Sequence, residues 1–459
     1  MAAQAILTII KGKLPGRQYT FDSRTTCIIG RSPECNIQLP NDADHSTISR
    51  YHCLLDINPP NIRIRDFGSK NGTYVNDNKI GQRAAHQTPE EGAKLQFPEY
   101  DLKSDDEIKL GDTVFAVYIK ADPEEINIPN FSLPTINHNQ PAIQKPNFLK
   151  IIQRWLSLAA GGNQKLLAIQ GYNIIKLLGK GGFGEVYLAQ HNNSGKFIAL
   201  KVMLPASIGD ENAVQKFLRE TENTKVLQHP HVIQVIDYGF FEDIFFFTME
   251  YCAGGTVLDL MAKYGGKLPV NIAVPIILQV LNGLEYSHNA EIPYVKLQNG
   301  GYGKGKGLVH RDLKPGNILL NYTDGKITAK IADYGLAKSF DLAGLSGQTL
   351  TGSASGTPAF IPRQQLLNFK YVKPEVDVWA TAASLYNMLT GELPRNFTGD
   401  PFLAVLQNDP VPIRQRHANI PKKLAEVIDL GLVEKPDIYF KSAVDFKSAL
   451  LDSYKTMLI

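Results

Sequence analysis

An acidic, a basic and an amide side chain stand close together in the segment 310–317 of this chain. They are Asp312, Lys314 and Asn317. Transfer of a phosphoryl group to a hydroxyl needs such a set: a carboxylate to accept the hydroxyl proton, a cation to neutralise the phosphate, and an amide oxygen to help hold a divalent metal. A further candidate metal ligand, Asp333, follows in the segment 331–335. The pattern therefore predicts a phosphoryl-transfer site.

A glycine-rich segment and a lysine in an apolar run precede that loop. Gly179, Gly181 and Gly184 lie between two runs of strand character, so a hairpin is expected. Because glycines lack side chains, backbone N–H groups there can approach phosphate oxygens. Lys201 has apolar residues on both sides, which favours a phosphate contact over a solvated strand lysine.

In this order, the motifs resemble those of the eukaryotic-like, bacterial-type serine/threonine protein kinases, over residues 172–452. The resemblance implies a two-lobed α+β fold that binds ATP with Mg²⁺ (or Mn²⁺) and acts on protein Ser/Thr hydroxyls. It implies that Asp312 is the base and that Lys314 contacts the γ-phosphate. Asn317 and Asp333 would bind the metal. The other nucleotide-binding positions that it implies are Gly179, Gly181, Gly184, Val186, Lys201 and the hinge backbone of Glu250 and Cys252.

Helical periodicity predicts which carboxylate pairs with Lys201. The segment 212–228 is typical of a helix with Phe217 among its apolar anchors. Glu220 lies three residues after Phe217 and shares its inner face, whereas Glu222 points elsewhere. By the resemblance, Glu220 is therefore the partner of Lys201 in the catalytic site.

Several positions depart from the family pattern. Arg363 replaces the family's glutamate, and Tyr439 stands where the arginine that pairs with that glutamate is expected. Because loss of both partners can be nearly neutral if Arg363 and Tyr439 repack, we expect an alternative contact there rather than an inactive enzyme. Tyr334 replaces a phenylalanine, with little expected effect. An insertion spans about 290–307, and its Gly/Lys-rich part (300–307) is predicted to be a surface loop.

The resemblance also implies a structural and a regulatory feature. Asp377 would brace the catalytic loop from a buried position. Arg311, next to the base, predicts that phosphate on the loop 336–358 gates activity, because an unpaired arginine attracts an anion. The candidate acceptors in that loop are Thr349, Thr351, Ser353 and Ser355.

The first 120 residues carry a second signature. Short alternating runs separated by turn residues predict an all-β sandwich. The segments 29–32, 49–52 and 69–76 resemble those of forkhead-associated (FHA) domains, which bind phosphothreonine through loops at one end of a sandwich. A dianionic phosphate needs converging guanidinium, hydroxyl and amide donors. The phosphopeptide site implied by the resemblance consists of Arg31, Ser49, Arg50 and Asn71.

Composition and charge bound the remaining possibilities. We divide the chain into a sandwich (1–120), a Pro/Asn-rich linker with a possible short helix (121–170) and a kinase domain (171–455). The net charge of +3, without a basic run, does not favour nucleic acid as a partner. No run reaches the roughly 18 apolar residues of a transmembrane segment. The four cysteines show no metal or disulfide spacing, which predicts reduced thiols and a cytoplasmic location.

We therefore expect a multidomain protein: an active, non-specific serine/threonine protein kinase in signal transduction with an FHA module. That module would recruit phosphothreonine partners or autophosphorylated segments of this chain, Thr135 in the linker being one candidate. One alternative is a phosphopeptide-binding scaffold with an inactive (pseudokinase) domain, which Arg363 and Tyr439 favour weakly. Another is a small-molecule kinase, which the Asp312/Lys314 pair opposes.

Overall fold

The computed structural model describes most of the chain. The described residues are 4–21, 25–59, 61–92, 95, 97–120, 148–180, 184–203, 211–242, 244–296, 302–323, 325–334, 358–367, 372–398 and 400–456. Gly181, Thr135 and the candidate phosphoacceptors of the loop 336–358 lie outside them. Within these ranges, no helix combines the length and the apolar character needed to cross a membrane.

Two β-sheets form the N-terminal domain, and in strands such as the first, Gln4–Lys11, buried side chains alternate with more exposed ones. Their strands are β1 (Gln4–Lys11), β2 (Gln18–Phe21), β3 (Thr25–Gly30), β4 (Ile37–Gln38), β5 (Cys53–Asn58), β6 (Asn61–Asp66), β7 (Thr73–Val75), β8 (Asn78–Gly81), β9 (Tyr100–Leu102), β10 (Glu107–Leu110) and β11 (Thr113–Lys120). In β1, for example, Ala5, Leu7 and Ile9 are buried. One sheet has the order β2–β1–β11–β10–β7–β8 and the other β4–β3–β5–β6–β9. A short helix, α1 (Pro89–Gly92), precedes β9.

An antiparallel five-stranded sheet forms the smaller lobe of the second domain. Its strands are β12 (Tyr172–Lys180), β13 (Gly184–His191), β14 (Phe197–Met203), β15 (Val235–Phe241) and β16 (Ile244–Glu250), in the order β12–β13–β14–β16–β15. Helix α3 (Glu211–Lys225) packs on one face through Phe217, whose ring lies edge-on to Phe245 and Phe247.

Helix α2 (Phe148–Ala160) covers the opposite face of that sheet. Phe148, Ile152 and Trp155 recur at helical spacing and are buried in one cluster with Leu200 and Phe246. A 3₁₀ turn, Gln164–Ile169, joins this helix to β12. The helical spacing in the sequence thus corresponds to a face packed on the sheet.

The larger lobe is mainly helical. Its helices are α4 (Val257–Lys263), α5 (Val270–Ser287), α6 (Arg363–Leu367), α7 (Glu375–Thr390), α8 (Pro401–Gln407), α9 (Ile413–Arg416), α10 (Lys422–Gly431) and α11 (Ala443–Lys455). Two hairpins accompany them: β17 (Glu291–Lys296) with β18 (Tyr302–Lys306), and β19 (Ile318–Thr323) with β20 (Lys326–Ile331). Helix α7 is buried from Val376 to its end, where Gly391 stops it in the left-handed conformation (φ 77°).

The two domains share a buried contact. Helices α6 and α8 of the larger lobe form a cluster with one sheet of the sandwich, comprising Ile28, Cys35, Leu54, Phe67, Leu366, Phe402, Leu403, Val405 and Leu406. Arg65 of β6 forms an ion pair with Asp400 at its edge, and their side chains are only 5% and 3% exposed. Because a buried ion pair repays its desolvation only in good geometry, this pair favours one specific orientation of the domains.

Candidate functional site

The catalytic-loop residues converge on one carboxylate. Lys314 places its Nζ 2.9 Å from Oδ2 of Asp312. Asn317 donates from Nδ2 to the backbone oxygen of Asp312 (2.7 Å) and to its Oδ2 (3.0 Å), so its amide oxygen points away from Asp312. The three side chains predicted from the sequence are therefore brought together.

A buried aspartate braces this loop. Asp377, in the first turn of α7, is 1% exposed. Its Oδ2 accepts hydrogen bonds from the backbone N of His310 (2.7 Å) and from Nε2 of His288 (2.8 Å). Its Oδ1 accepts one from the backbone N of Arg311 (2.8 Å), a residue held at φ 68°. Burial raises the pKa of Asp377, but the donation from His288 and the other donors outweigh it, so the pKa lies below its usual value.

The second acidic candidate faces the strand lysine. Nζ of Lys201 lies 2.8 Å from Oδ1 of Asp333. Burial raises the pKa of Asp333, but the ammonium of Lys201 outweighs it and holds the pKa below its usual value. Glu220 lies on α3 as predicted, yet no ion pair among the described side chains joins it to Lys201. In this conformation, Asp333 is the partner of Lys201.

The nucleotide-binding candidates lie on the strands around Lys201. Val186 pairs with Lys201 across β13 and β14. A Cβ on Gly184 would lie 1.8 Å from the backbone oxygen of Val202, so no other residue fits there without backbone movement. Gly179 is the penultimate residue of β12, and Gly181 lies outside the described residues.

The predicted hinge residues lie at and just after the end of β16. Glu250 ends this strand, and its backbone N donates to the oxygen of Gln234 (3.0 Å). Its carboxylate pairs with Lys330 at 3.0 Å. Cys252, two residues later, is buried beside Met249.

The hydroxyl of Tyr334 has a specific partner. It lies 2.6 Å from Oγ of Ser287, the last residue of α5. The ring packs edge-on against His310 at 4.8 Å between centroids. Burial raises the pKa of Tyr334, so the phenol stays protonated. Tyrosine thus adds a buried hydrogen bond between this loop and α5, which the sequence alone did not indicate.

Arg363 makes the expected alternative contact, but with Glu434 and not with Tyr439, so the expectation that the ion pair is missing is wrong. Tyr439 is 54% exposed and packs edge-on against Phe440. Arg363 is buried and bonds Glu434 twice: Nη1 pairs with Oε1, and the backbone N donates to Oε2 at 2.8 Å. Its Nε also donates to the oxygen of Leu406 (2.9 Å). The ion pair is therefore present with its charges exchanged, and its acidic partner lies five positions before the expected one.

A second arginine completes this buried group. Arg395 is fully buried, and its Nη2 also pairs with Oε1 of Glu434. Its Nη1 donates to the oxygen of Ile361 (3.0 Å), and its guanidinium lies 4.5 Å from the ring centroid of Trp379. One carboxylate thus neutralises two guanidinium groups and ties α6 to the segment after α10.

The described part of the insertion at 290–307 forms two paired strands, and the second, within 302–306, corrects the prediction of a loop there. Strands β17 and β18 pair with each other. The side-chain amide of Asn223, on α3, forms hydrogen bonds with both the backbone N and the backbone oxygen of Tyr294. Its Oδ1 accepts from the N of Tyr294 (3.0 Å), and its Nδ2 donates to the oxygen (2.9 Å). The insertion therefore holds α3, the helix that carries Glu220.

A basic cavity lies at one end of the sandwich, where the phosphopeptide site was predicted. It measures about 160 Å³, and its lining includes Arg31, Ser49 and Arg50. Two further cations of the lining, Lys70 and Arg83, were not predicted from the sequence. Lys70 lies in a motif segment but matches no ligand position of the family, and Arg83 lies outside the motif segments. The backbone N of Lys70 donates to Oγ of Ser49 (3.0 Å).

The loops around this cavity are held by internal hydrogen bonds. Arg31 donates from Nε to the oxygen of Ile48 (2.5 Å), and Asn71 from Nδ2 to that of Thr47 (2.6 Å). Nδ1 of His52 accepts from the N of Ser49 (3.0 Å), and its Nε2 lies 3.0 Å from the oxygen of Gly72. Burial lowers the pKa of His52, so the neutral ring supplies one acceptor and one donor.

Comparisons with known proteins match both domains. The model of the protein kinase domain matches residues 172–407, and the model of the FHA domain matches residues 27–111. The serine/threonine-protein kinase PknB of Mycobacterium leprae is 30% identical over 288 residues, which cover 61% of this chain and 42% of that protein. The carbon catabolite-derepressing protein kinase of Candida albicans is 33% identical over 224 residues, covering 49% of this chain and 32% of that protein. The chain thus spans about two fifths or less of the length of these curated relatives.

Solved structures give similar matches. The kinase domain of Mycobacterium tuberculosis PknI is 26% identical, with a TM-score of 0.47 over 62% of this chain and 95% of that one. The structure of Rad53 1–466 in complex with AMP-PNP is 20% identical, with a TM-score of 0.48 over 98% of this chain and 99% of that one. The predicted fold class, an FHA sandwich followed by a two-lobed kinase fold, is confirmed by the family models. Because the kinase model covers just over half of the sequence, the chain belongs to the protein kinase family, with an FHA domain ahead of its kinase domain.

Proposed function

We propose that this protein is an ATP- and Mg²⁺-dependent serine/threonine protein kinase whose FHA domain binds phosphothreonine. The convergence of Lys314 and Asn317 on the Asp312 carboxylate supports the catalytic part most directly. A pseudokinase has no need for a base and a cation 2.9 Å apart at the end of a braced loop.

Each side chain has a definite task in this proposal. Asp312 orients the substrate hydroxyl and accepts its proton, while Lys314 neutralises charge on the transferred phosphate. Lys201 is the cation for the α- and β-phosphates, and Glu220 is its proposed partner in the active conformation. The carbonyl of Glu250 and the N–H of Cys252 are proposed to bind adenine.

The metal site is proposed from its oxygen donors. The carboxylate of Asp333 and the amide oxygen of Asn317 are hard donors of the kind that Mg²⁺ prefers, so the residues fit the ion. When bound, Mg²⁺ neutralises charge on the β- and γ-phosphates. In the present conformation, Lys201 forms an ion pair with the carboxylate of Asp333, which is the group that would bind the metal.

The proposed binding of phosphothreonine, called the reader function below, is supported by the positive charge of the cavity and by the hydrogen bonds that hold its loops. Arg31, Arg50 and the hydroxyl of Ser49 are the proposed phosphate ligands, and Asn71 the proposed peptide clamp. Phosphothreonine proteins, or phosphorylated segments of this chain, are the proposed partners. The predicted cytoplasmic location and the absence of a nucleic-acid partner stay predictions.

Transfer of labelled γ-phosphate tests the catalytic proposal. The full chain should phosphorylate a Ser/Thr peptide mixture, and Asp312→Asn should reduce the rate by at least 10²-fold because it removes the base. Wild-type protein that binds ATP without transferring phosphate would instead favour the scaffold alternative. Label appearing only on added aminoglycosides would favour a small-molecule kinase.

A further inference from the structure

The cavity that holds the proposed phosphate ligands is not built by the FHA domain alone. Leu403 and Gln407, on α8 of the kinase domain, line it together with Arg31, Ser49 and Arg50. We infer that the phosphopeptide site is shared by the two domains, and that Gln407 reads a residue flanking the phosphothreonine. This inference rests on the proposed reader function and extends it to a site that neither domain forms by itself.

The charge of the lining identifies the chemical class of the ligand. The FHA side contributes four cations (Arg31, Arg50, Lys70 and Arg83), and the described residues that line the cavity include no aspartate or glutamate. Such a surface attracts a dianionic phosphate. From the described part of the kinase domain, the neutral Leu403 and Gln407 line the cavity. We therefore place the phosphate on the FHA side and the flanking peptide against α8.

The direction of α8 supports this division. Gln407 is its last residue, and the carbonyl groups at the C-terminal end of a helix carry partial negative charge, which disfavours a phosphate. A peptide backbone or a polar side chain suits this end better. Gln407 is exposed, and its side-chain amide offers both a donor and an acceptor to such a group.

One buried carboxylate fixes the two halves relative to each other. Asp400 pairs with Arg65 of the FHA domain, and its Oδ1 also caps α8 by accepting from the backbone N of Phe402 (2.9 Å) and of Leu403 (3.0 Å). The same group therefore anchors the interface and orients the helix that presents Gln407. Peptide binding at the shared site and docking of the domains must then favour each other.

Charge substitution at Gln407 tests the inference in the full chain. The probe is a peptide library with a central phosphothreonine and three randomised positions on each side. Gln407→Glu should raise the preference for Lys or Arg at one flanking position, and Gln407→Lys should favour Asp or Glu at the same position, each by about fivefold. The matched control is Gln415→Glu, an exposed position on α9 outside the cavity, which should leave the profile unchanged.

A substitution at the domain interface distinguishes a kinase domain that contributes to the peptide site from one that merely covers it. Asp400→Asn keeps an N-cap side chain for α8 but removes the charge partner of Arg65. A shared site predicts weaker binding of the selected phosphopeptide. Tighter binding would mean that the kinase domain merely covers the pocket, and it would overturn the inference.

The reader function itself has a separate control. Arg31→Ala should abolish binding of the selected peptide, and the unphosphorylated peptide should not bind. If the wild type and Arg31→Ala bind alike, both proposals fall. If Arg31→Ala abolishes binding while both Gln407 variants keep the wild-type profile, the reader stands and the shared site is rejected.

Discussion

Arg363 and Glu434 form a buried ion pair whose charges are the reverse of those in the family pattern. The side chains are 4% and 2% exposed, so solvent screens the interaction little. Arg395 shares Oε1 of Glu434, which makes the single carboxylate the centre of the group. Loss of one arginine leaves Glu434 paired with the other, whereas loss of Glu434 removes the buried counter-charge of both.

Removal of the carboxylate should therefore cost more than removal of one arginine. Glu434→Gln removes the buried counter-charge of both guanidinium groups, leaves Arg363 with the exposed carboxylate of Asp409 (3.0 Å), and should lower the free energy of unfolding by about 3–5 kcal/mol. Arg363→Met leaves Glu434 paired with Arg395 and should cost about 1–3 kcal/mol. Urea unfolding of the full chain measures both.

Tyr439→Arg is the control for this comparison. Because Tyr439 is exposed and does not pair with Arg363, this substitution should change the free energy of unfolding by no more than about 0.5 kcal/mol. Equal losses for Glu434→Gln and Arg363→Met would contradict the central role of the carboxylate.

The sequence located the catalytic residues better than it located this pair. Chemistry fixes the residue types and spacing around Asp312, so a local motif is informative. The partner of Arg363 is instead a tertiary contact: Glu434 and Tyr439 stand in the same short segment, and no local pattern tells which one turns inward. The alternation in β6 likewise marks Arg65 as a strand residue, but only the packing of α8 explains why it is buried.

Lys201→Met and Asp333→Asn should each abolish phosphoryl transfer. Both remove charge that is aimed at phosphate or metal, and losses of at least 10²-fold are typical of such groups. The measurement is initial rate with a Ser/Thr peptide at saturating ATP. Circular dichroism should confirm that each variant is folded, and wild-type turnover in either variant would refute the assignment of that residue.

Titration of Asp377 should make the free energy of unfolding depend on pH in the acidic range. Because its pKa is lower in the folded protein than its usual 3.8, the unfolded chain binds the proton more readily. The contribution is therefore fully present above about pH 4 and is lost as the pH falls from there through the folded-state pKa. Asp377→Asn should lower stability at pH 7 by about 1.5–3 kcal/mol, because a charged acceptor is lost.

Urea unfolding at a series of pH values checks this. Between pH 5 and 3, the free energy of unfolding should fall less steeply in Asp377→Asn than in the wild type. Parallel curves would show that Asp377 titrates alike in the folded and unfolded states.

The bond between Tyr334 and Ser287 should show measurable coupling. Tyr334→Phe removes only the hydroxyl and should cost about 1 kcal/mol, as should Ser287→Ala. Because both changes break the same bond, the double variant should lose less than the sum of the singles. A thermal or urea double-mutant cycle measures this coupling, and strictly additive losses would mean that the bond does not stabilise the fold.

Asn223 should couple the inserted hairpin to α3. The residue is 2% exposed and binds both backbone groups of Tyr294, so Asn223→Ala removes two hydrogen bonds at a cost of about 1–3 kcal/mol. Local opening should then become easier, and backbone amides of β17 should exchange with deuterium faster than in the wild type.

Asn289→Ala is the matched control, because the side chain of that asparagine is exposed and binds only the oxygen of Glu285, within the end of its own helix. Since Asn223 lies one turn after Glu220, faster exchange should extend into α3. Exchange confined to the hairpin would show that the insertion rests on α3 without holding it.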